Sequence, residues 1–194
     1  MDNFDRAAET QYTMNGLLRY ELWQLLAQTQ YADYNGSFYK TGAFSDVTVT
    51  CGGHAFPCHK MVLVTRSEWF FQACAGRFRE ANSRIIVLQE DDRELVGAML
   101  YFCYALDYDQ PSADLPAVLF HVRMFALAEK YSVYGLTCLA ADKFKKEAKN
   151  GADKAVLAEV VREAYDTISD EEGMFGRAIM EIMGHELETI NLDG

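Results

Sequence analysis

Cys51, His54, Cys58 and His59 stand as C-x2-H-x3-C-H, and these are the residue types that bind zinc or form a thiol nucleophile with its base. The spacing argues against both. If His54 to Cys58 is a strand, its ends lie about 13 Å apart at roughly 3.3 Å per residue, whereas the ligands of one zinc each come within roughly 2.0–2.3 Å of it. Cys51 and His54 can meet across a turn, but two ligands do not make a structural site. Cys58 and His59 are sequence neighbours, so their side chains diverge, and only Asp46 nearby could orient the imidazole. The chain contains no P-loop, dinucleotide-binding glycine fingerprint, nucleophile elbow or paired-histidine motif. The reading is therefore not an enzyme, with no cofactor, no metal and no small-molecule substrate. The ordinary alternative for the four residues is a half-buried hairpin with His59 capping the helix that follows.

The elements that hold these residues fall into three zones. From about Met14 to Tyr31, Leu18, Leu22, Leu25 and Leu26 recur at helical spacing beside Tyr20 and Trp23. Asn35-Gly36-Ser37 and Thr41-Gly42 then break the pattern.

The second zone mixes α and β. Val47, Val49 and Cys51 alternate with Thr48 and Thr50 as a strand does. Gly52-Gly53 suits the positive φ angles of a two-residue hairpin turn, and His54 to Cys58 returns as the partner strand. Met61, Val62, Leu63, Trp69, Phe70 and Phe71 read as one buried helical stretch. Arg84 to Leu88 reads as a short strand covered on both faces. Helices are expected over about Arg93–Ala105, Leu115–Tyr131 and Val133–Glu147. Asp114 is the expected N-cap of the second, with Pro116 in its first turn.

The third zone begins at Gly151. Val156, Val160, Val161, Ala164, Tyr165 and Ile168 form one apolar stripe, and Phe175, Ile179, Ile182 and Met183 form another. Asp170 to Gly173 separates them, which predicts a helical hairpin.

The middle zone resembles the BTB/POZ domain. Its opening strand, hairpin and helix are matched at Asp46, Phe56, His59, Lys60, Leu63, Ser67 and Phe70. The run from Arg84 to Asp109 resembles the family's third strand and next helix. Ala128, Lys130, Tyr131, Val133 and Leu136 resemble its closing helix pair. Gly76–Ala81 and Leu88–Glu94 resemble fungal members in particular. The likeness covers residues 44–147, and the expected fold is α+β: a small sheet flanked by helices, with an N-terminal helix and a C-terminal helical hairpin. The expected units are residues 1–43, a BTB/POZ domain at 44–149 and an acidic hairpin at 150–194.

The resemblance implies a protein-interaction module. Phe78-Arg79-Glu80, in the loop before the third strand, resembles the apolar-x-Glu motif of adaptors that bind cullin-3 in ubiquitin ligases. A hairpin after the domain is similar to the helical pair that widens that contact. The plain alternative is that Phe78 caps the core and Glu80 is a solvated acid. The resemblance places Asp46, His59 and Lys60 in a charged pocket near a dimer interface. The plain alternative there is a structural Asp46–Lys60 ion pair. It also implies a homodimer packed through the first helix, here Leu18, Leu22, Leu25 and Leu26. Residues 1–13 do not read as the exchanged strand of many BTB transcription factors, so the mode of dimerisation stays open. A self-associating scaffold in transcriptional regulation, without cullin binding, is the second reading. No kelch-like or other substrate-recruiting domain is recognised.

Charge sharpens the choice of partner. The 194 residues carry a formal net charge of −11, which disfavours nucleic-acid binding by charge. Residues 150–194 hold eleven acidic against three basic side chains, so most of the excess lies in the expected hairpin. The longest apolar stretch, Ala117 to Ala128, contains His121 and Arg123 and is too short to span a membrane. The first residues carry acids and no apolar run, unlike a secretory signal. Five scattered cysteines suit a reducing cytoplasmic or nuclear setting.

Overall fold

The computed structural model describes residues 31–75, 84–109, 115–150, 154–168, 173 and 175–182. Helix α1 (Tyr31–Thr41) leads into a hairpin of β1 (Val47–Cys51) and β2 (His54–Cys58). Helices α2 (Lys60–Arg66) and α3 (Glu68–Ala75) follow, then strand β3 (Ile85–Val87). Helices α4 (Arg93–Ala105), α5 (Ala117–Lys130), α6 (Leu136–Lys149) and α7 (Lys154–Thr167) come next, and residues 175–182 are again helical. The fold is the expected α+β arrangement, mostly helical around a small sheet.

Among the described residues the sheet has three strands in the order β2-β1-β3, antiparallel on one side and parallel on the other. Gly52 and Gly53 make the expected turn, at φ +53° and +77°, values that favour glycine. The register pairs Cys51 with His54 and Val47 with Cys58. Val47, Val49 and Cys51 on β1, Cys58 on β2 and Ile86 on β3 are all buried against the helices.

Five expectations need correction. Asn35-Gly36-Ser37 does not interrupt a helix; α1 runs through it and stops at Gly42, where φ is +62°. Gly36 is useful there because its bare Cα faces the ring of Tyr101. Leu18, Leu22, Leu25 and Leu26 lie outside the described residues.

The stretch from Met61 to Phe71 is two helices. Ser67 between them is extended, at φ −143° and ψ 125°, and pairs with Val133 in an isolated antiparallel bridge. Its buried hydroxyl donates to the Tyr131 carbonyl at 2.6 Å and accepts from the Phe70 N–H at 3.0 Å, so it caps α3. The same bridge holds Val133 extended, which moves the start of α6 to Leu136, after Gly135 at φ +81°.

β3 is covered on one face only. Ile86 is buried, while Ile85 and Val87 are 51% and 53% exposed. Register places these two on the same face as Thr48, Thr50, Ala55 and Pro57, a sheet face with no charged residue. Finally, α5 begins at Ala117 with Pro116 in the N-cap position; Asp114 lies outside the described residues.

The hairpin after residue 150 shares the core. Leu157, Val160, Ala164, Phe175, Ala178 and Ile182 are buried together with side chains of α5 and α6. The Phe175 ring sits 4.9 Å from both Phe125 and Phe144.

Candidate functional site

The residues expected to form a charged pocket lie where the α1–β1 connection meets the end of β2. Asp46 is exposed, and its carboxylate accepts the backbone N–H of Lys60 at 2.8 Å. It therefore caps α2 from a distant point in the chain. No ion pair joins the Asp46 and Lys60 side chains among the described residues, so the ion-pair expectation is replaced by this cap.

His59 occupies the N-cap position of α2, but its side chain makes no capping bond. Its backbone N–H donates to the Tyr104 hydroxyl at 2.8 Å. The ring then bridges two segments: Nδ1 lies 2.9 Å from the same hydroxyl and Nε2 lies 2.7 Å from the Ala43 carbonyl. A carbonyl only accepts, so Nε2 carries the proton in the neutral ring, and Tyr104 donates to Nδ1. Burial raises the Tyr104 pKa, which keeps that donor protonated. His59 thus anchors Ala43, and with it the turn that presents Phe44.

The four residues with which the sequence reading began are separated by this arrangement. Cys51 and Cys58 are buried. Cys51 Sγ donates to the Asp91 carbonyl at 3.1 Å. Burial pushes the Cys58 thiol up to about 12, despite its bond to Tyr104, so it holds no thiolate at neutral pH. His54 is exposed and packs on Phe56, with ring centroids 4.7 Å apart. Both His59 nitrogens are engaged with Tyr104 and Ala43, so Cys58 and His59 do not make a nucleophile–base pair. Among the described residues no three metal-binding side chains come together.

What the surface offers instead is exposed apolar area. Phe44 is 88% exposed, Met61 77% and Phe38 38%. Phe38 lies 6.4 Å from the Phe44 ring and 6.1 Å from the His59 ring. Phe71 is exposed on α3, whose end at Ala75 is three residues before Phe78. Phe78, Arg79 and Glu80 themselves lie outside the described residues. Phe44 and Tyr104 escaped the sequence reading. The signal for Phe44 was the preceding Gly42; Tyr104 looked like any apolar residue of α4.

Comparison with known proteins agrees with the architecture. A family model described as BTB/POZ domain matches residues 35–148. Kelch-like protein 21 of Danio rerio is 41% identical over 61 residues, covering 31% of this chain and 10% of that protein. Rho-related BTB domain-containing protein 1 of Mus musculus is 28% identical over 115 residues, covering 59% of this chain and 16% of that protein. The chain therefore corresponds to a small part of each of these relatives. Among solved structures, the BTB domain of zebrafish PATZ1 is similar with a TM-score of 0.47 and 17% identity, covering 59% of this chain and 88% of that one.

Proposed function

This chain belongs to the BTB/POZ domain family, a family of protein-interaction modules rather than of enzymes, and we propose that it is an adaptor binding a cullin-3-type scaffold in a ubiquitin ligase. The observation that carries this reading is positional. Phe78-Arg79-Glu80 falls inside the family-matched segment, between the end of α3 at Ala75 and the start of β3 at Ile85. In this reading Phe78 fills an apolar pocket on the scaffold, and Glu80 supplies a charge-assisted hydrogen bond beside it. Likeness to Kelch-like proteins supports an adaptor role. The hairpin after residue 150, packed on α5 and α6, provides the auxiliary surface.

The reading takes residues 1–43, 44–149 and 150–194 as N-terminal segment, BTB/POZ domain and acidic hairpin. Its kinship with fungal members rests on Gly76–Ala81 and Leu88–Glu94 alone. It places the protein in the cytoplasm, the nucleus or both; among the described residues no helix is long and apolar enough to cross a membrane. The protein acts as a homodimer, without cofactor, nucleic acid or small-molecule substrate.

Calorimetric titration with the N-terminal region of cullin-3 tests the adaptor role. Binding by the wild type, lost in Phe78→Ala/Glu80→Ala, is the expected result. Absence of wild-type binding, or full affinity in the double variant, overturns it. The second reading, a self-associating scaffold in transcriptional regulation, is favoured by the exposed Phe38, Phe44 and Met61.

A further inference from the structure

We propose that Asn150 is a site of spontaneous covalent modification, where water converts the side-chain amide to a carboxylate and ammonia is released.

The reaction needs no enzyme and no oxidant. The backbone nitrogen of the next residue attacks the Asn150 Cγ, and the C–N bond that forms closes a succinimide ring. The bond from Cγ to the amide nitrogen breaks, and that nitrogen leaves as ammonia with the proton given up by the backbone. Water then opens the ring at either carbonyl. One opening gives aspartate; the other gives isoaspartate, in which the main chain runs through the side-chain carbon. Two conditions govern the attack. The following residue must not crowd the ring, which favours glycine because it has no Cβ. The asparagine must also be free to turn about ψ, to bring that nitrogen to its own Cγ.

The chain holds three Asn-Gly pairs: Asn15-Gly16, Asn35-Gly36 and Asn150-Gly151. The first lies outside the described residues. The fold treats the other two in opposite ways. Asn35 and Gly36 are inside α1, where ψ is held at about −42° and the N–H groups are bonded along the helix. Gly36 is also buried against Tyr101, whose hydroxyl would stand 3.5 Å from an added Cβ. Turning the peptide between these two residues breaks α1 and that contact. Asn150, in contrast, is exposed and forms the C-cap of α6, at φ −76° and ψ 6°. Its N–H reaches the Lys146 and Glu147 carbonyls, each at 3.2 Å. These bonds precede the ψ bond in the chain, so rotation about ψ leaves α6 intact. The next helix, α7, begins only at Lys154.

The product places a negative charge where the fold does not suit one. The carbonyls at the C-terminal end of α6 disfavour an anion. The neighbouring Lys149 pairs with Glu181 at 2.6 Å and so ties α6 to the helical residues 175–182. A carboxylate at position 150 competes with Glu181 for that ammonium. The modification therefore accumulates with the age of the molecule and loosens one tie of the acidic hairpin.

The test incubates the full chain in warm, mildly alkaline buffer and follows both sites by peptide mapping with mass spectrometry. Asn150 should convert at least about tenfold faster than Asn35, whose helix must first open. In urea, with the fold removed, the two rates should converge. An Asn150 that stays an amide, or equal rates in the folded chain, overturns the proposal; a gap that persists in urea overturns the part assigned to the fold. Gly151→Ala should slow conversion of Asn150 and leave Asn35 unchanged, and an unslowed Asn150 overturns attack by the backbone nitrogen. Asn150→Asp reproduces one product and should speed amide hydrogen exchange in residues 175–182 about two- to fivefold; unchanged exchange overturns the loosening of the hairpin.

Discussion

His121 is 6% exposed, inside α5, with Nδ1 2.9 Å from the Tyr108 hydroxyl. Lys143 reaches the same corner. It contacts the Tyr108 carbonyl, pairs with Asp107 at 2.6 Å and lies 4.3 Å from the Tyr108 ring centre. Burial, helped by the Lys143 charge, lowers the His121 pKa to about 4. The unfolded chain takes up this proton near pH 6.5 and the folded chain resists it until about 4. Stability is therefore full above pH 6.5 and falls as pH drops towards 4, by about 3 kcal/mol from this group. Urea unfolding at a series of pH values should show that loss, and His121→Gln should flatten it; an identical slope in the variant would refute the assignment. Asp46 gives a smaller effect: Asp46→Ala removes the acceptor for the Lys60 N–H and should lower stability by about 1 kcal/mol in the same assay. At this scale the sequence brought Asp46 and Lys60 together but not in the way they meet. Asp46, His59 and Lys60 do converge, but residue type alone does not say whether a carboxylate will meet an ammonium or a backbone N–H. The Tyr104 and Ala43 partners of His59 lie 45 and 16 residues away.

Turns and caps decide the elements. Gly42 and Gly53 both have positive φ, yet their surroundings differ. An added Cβ at Gly53 meets nothing within 4 Å, whereas at Gly42 it stands 3.0 Å from Pro57. Gly53→Ala should cost about 1 kcal/mol for the strained backbone alone. Gly42→Ala should cost more, since the α1–β1 turn must also shift; thermal melts of the two variants compare them directly, and equal losses would contradict the packing argument. The β1–β2 hairpin could be read in advance because its signal, Gly52-Gly53, is local; the start of α4 is fixed just as locally, by Asp92, whose carboxylate accepts the Glu94 and Leu95 N–H groups at 2.7 and 3.2 Å, although the sequence reading did not name it. The break at Ser67 could not, because its cause is the bridge to Val133, sixty-six residues on. β3 misled for a related reason: Ile85-Ile86-Val87 has the composition of a doubly covered strand, and only the sheet order shows that one face lacks a cover.

Across the whole molecule, the acidic end of the chain is tied to the family-matched part. Glu163 binds Arg123 through two bonds of 2.6 and 3.1 Å, and Glu181 meets Lys149 at 2.6 Å. These partly or largely exposed pairs contribute little individually. The principal attachment is Phe175, buried against Phe125 and Phe144. Phe175→Ala should destabilise the protein by about 3–5 kcal/mol and lower a single calorimetric transition; separate melting of a hairpin below an unshifted main transition would be inconsistent with this shared core. Partition of the charge revealed an acidic segment but not its packing, since the apolar stripes carry no information on what they meet.

The placement of Phe175 also has a temporal consequence. Thirty-eight residues separate Phe144 from Ile182, an interval of roughly 2–8 seconds at a synthesis rate of 5–20 residues per second. During it the nascent chain has made α5 and α6 but not the side chains that close over Phe125 and Phe144. Phe125 and Phe144 therefore emerge before the ring that covers them, and the arrival of Phe175 completes this part of the core.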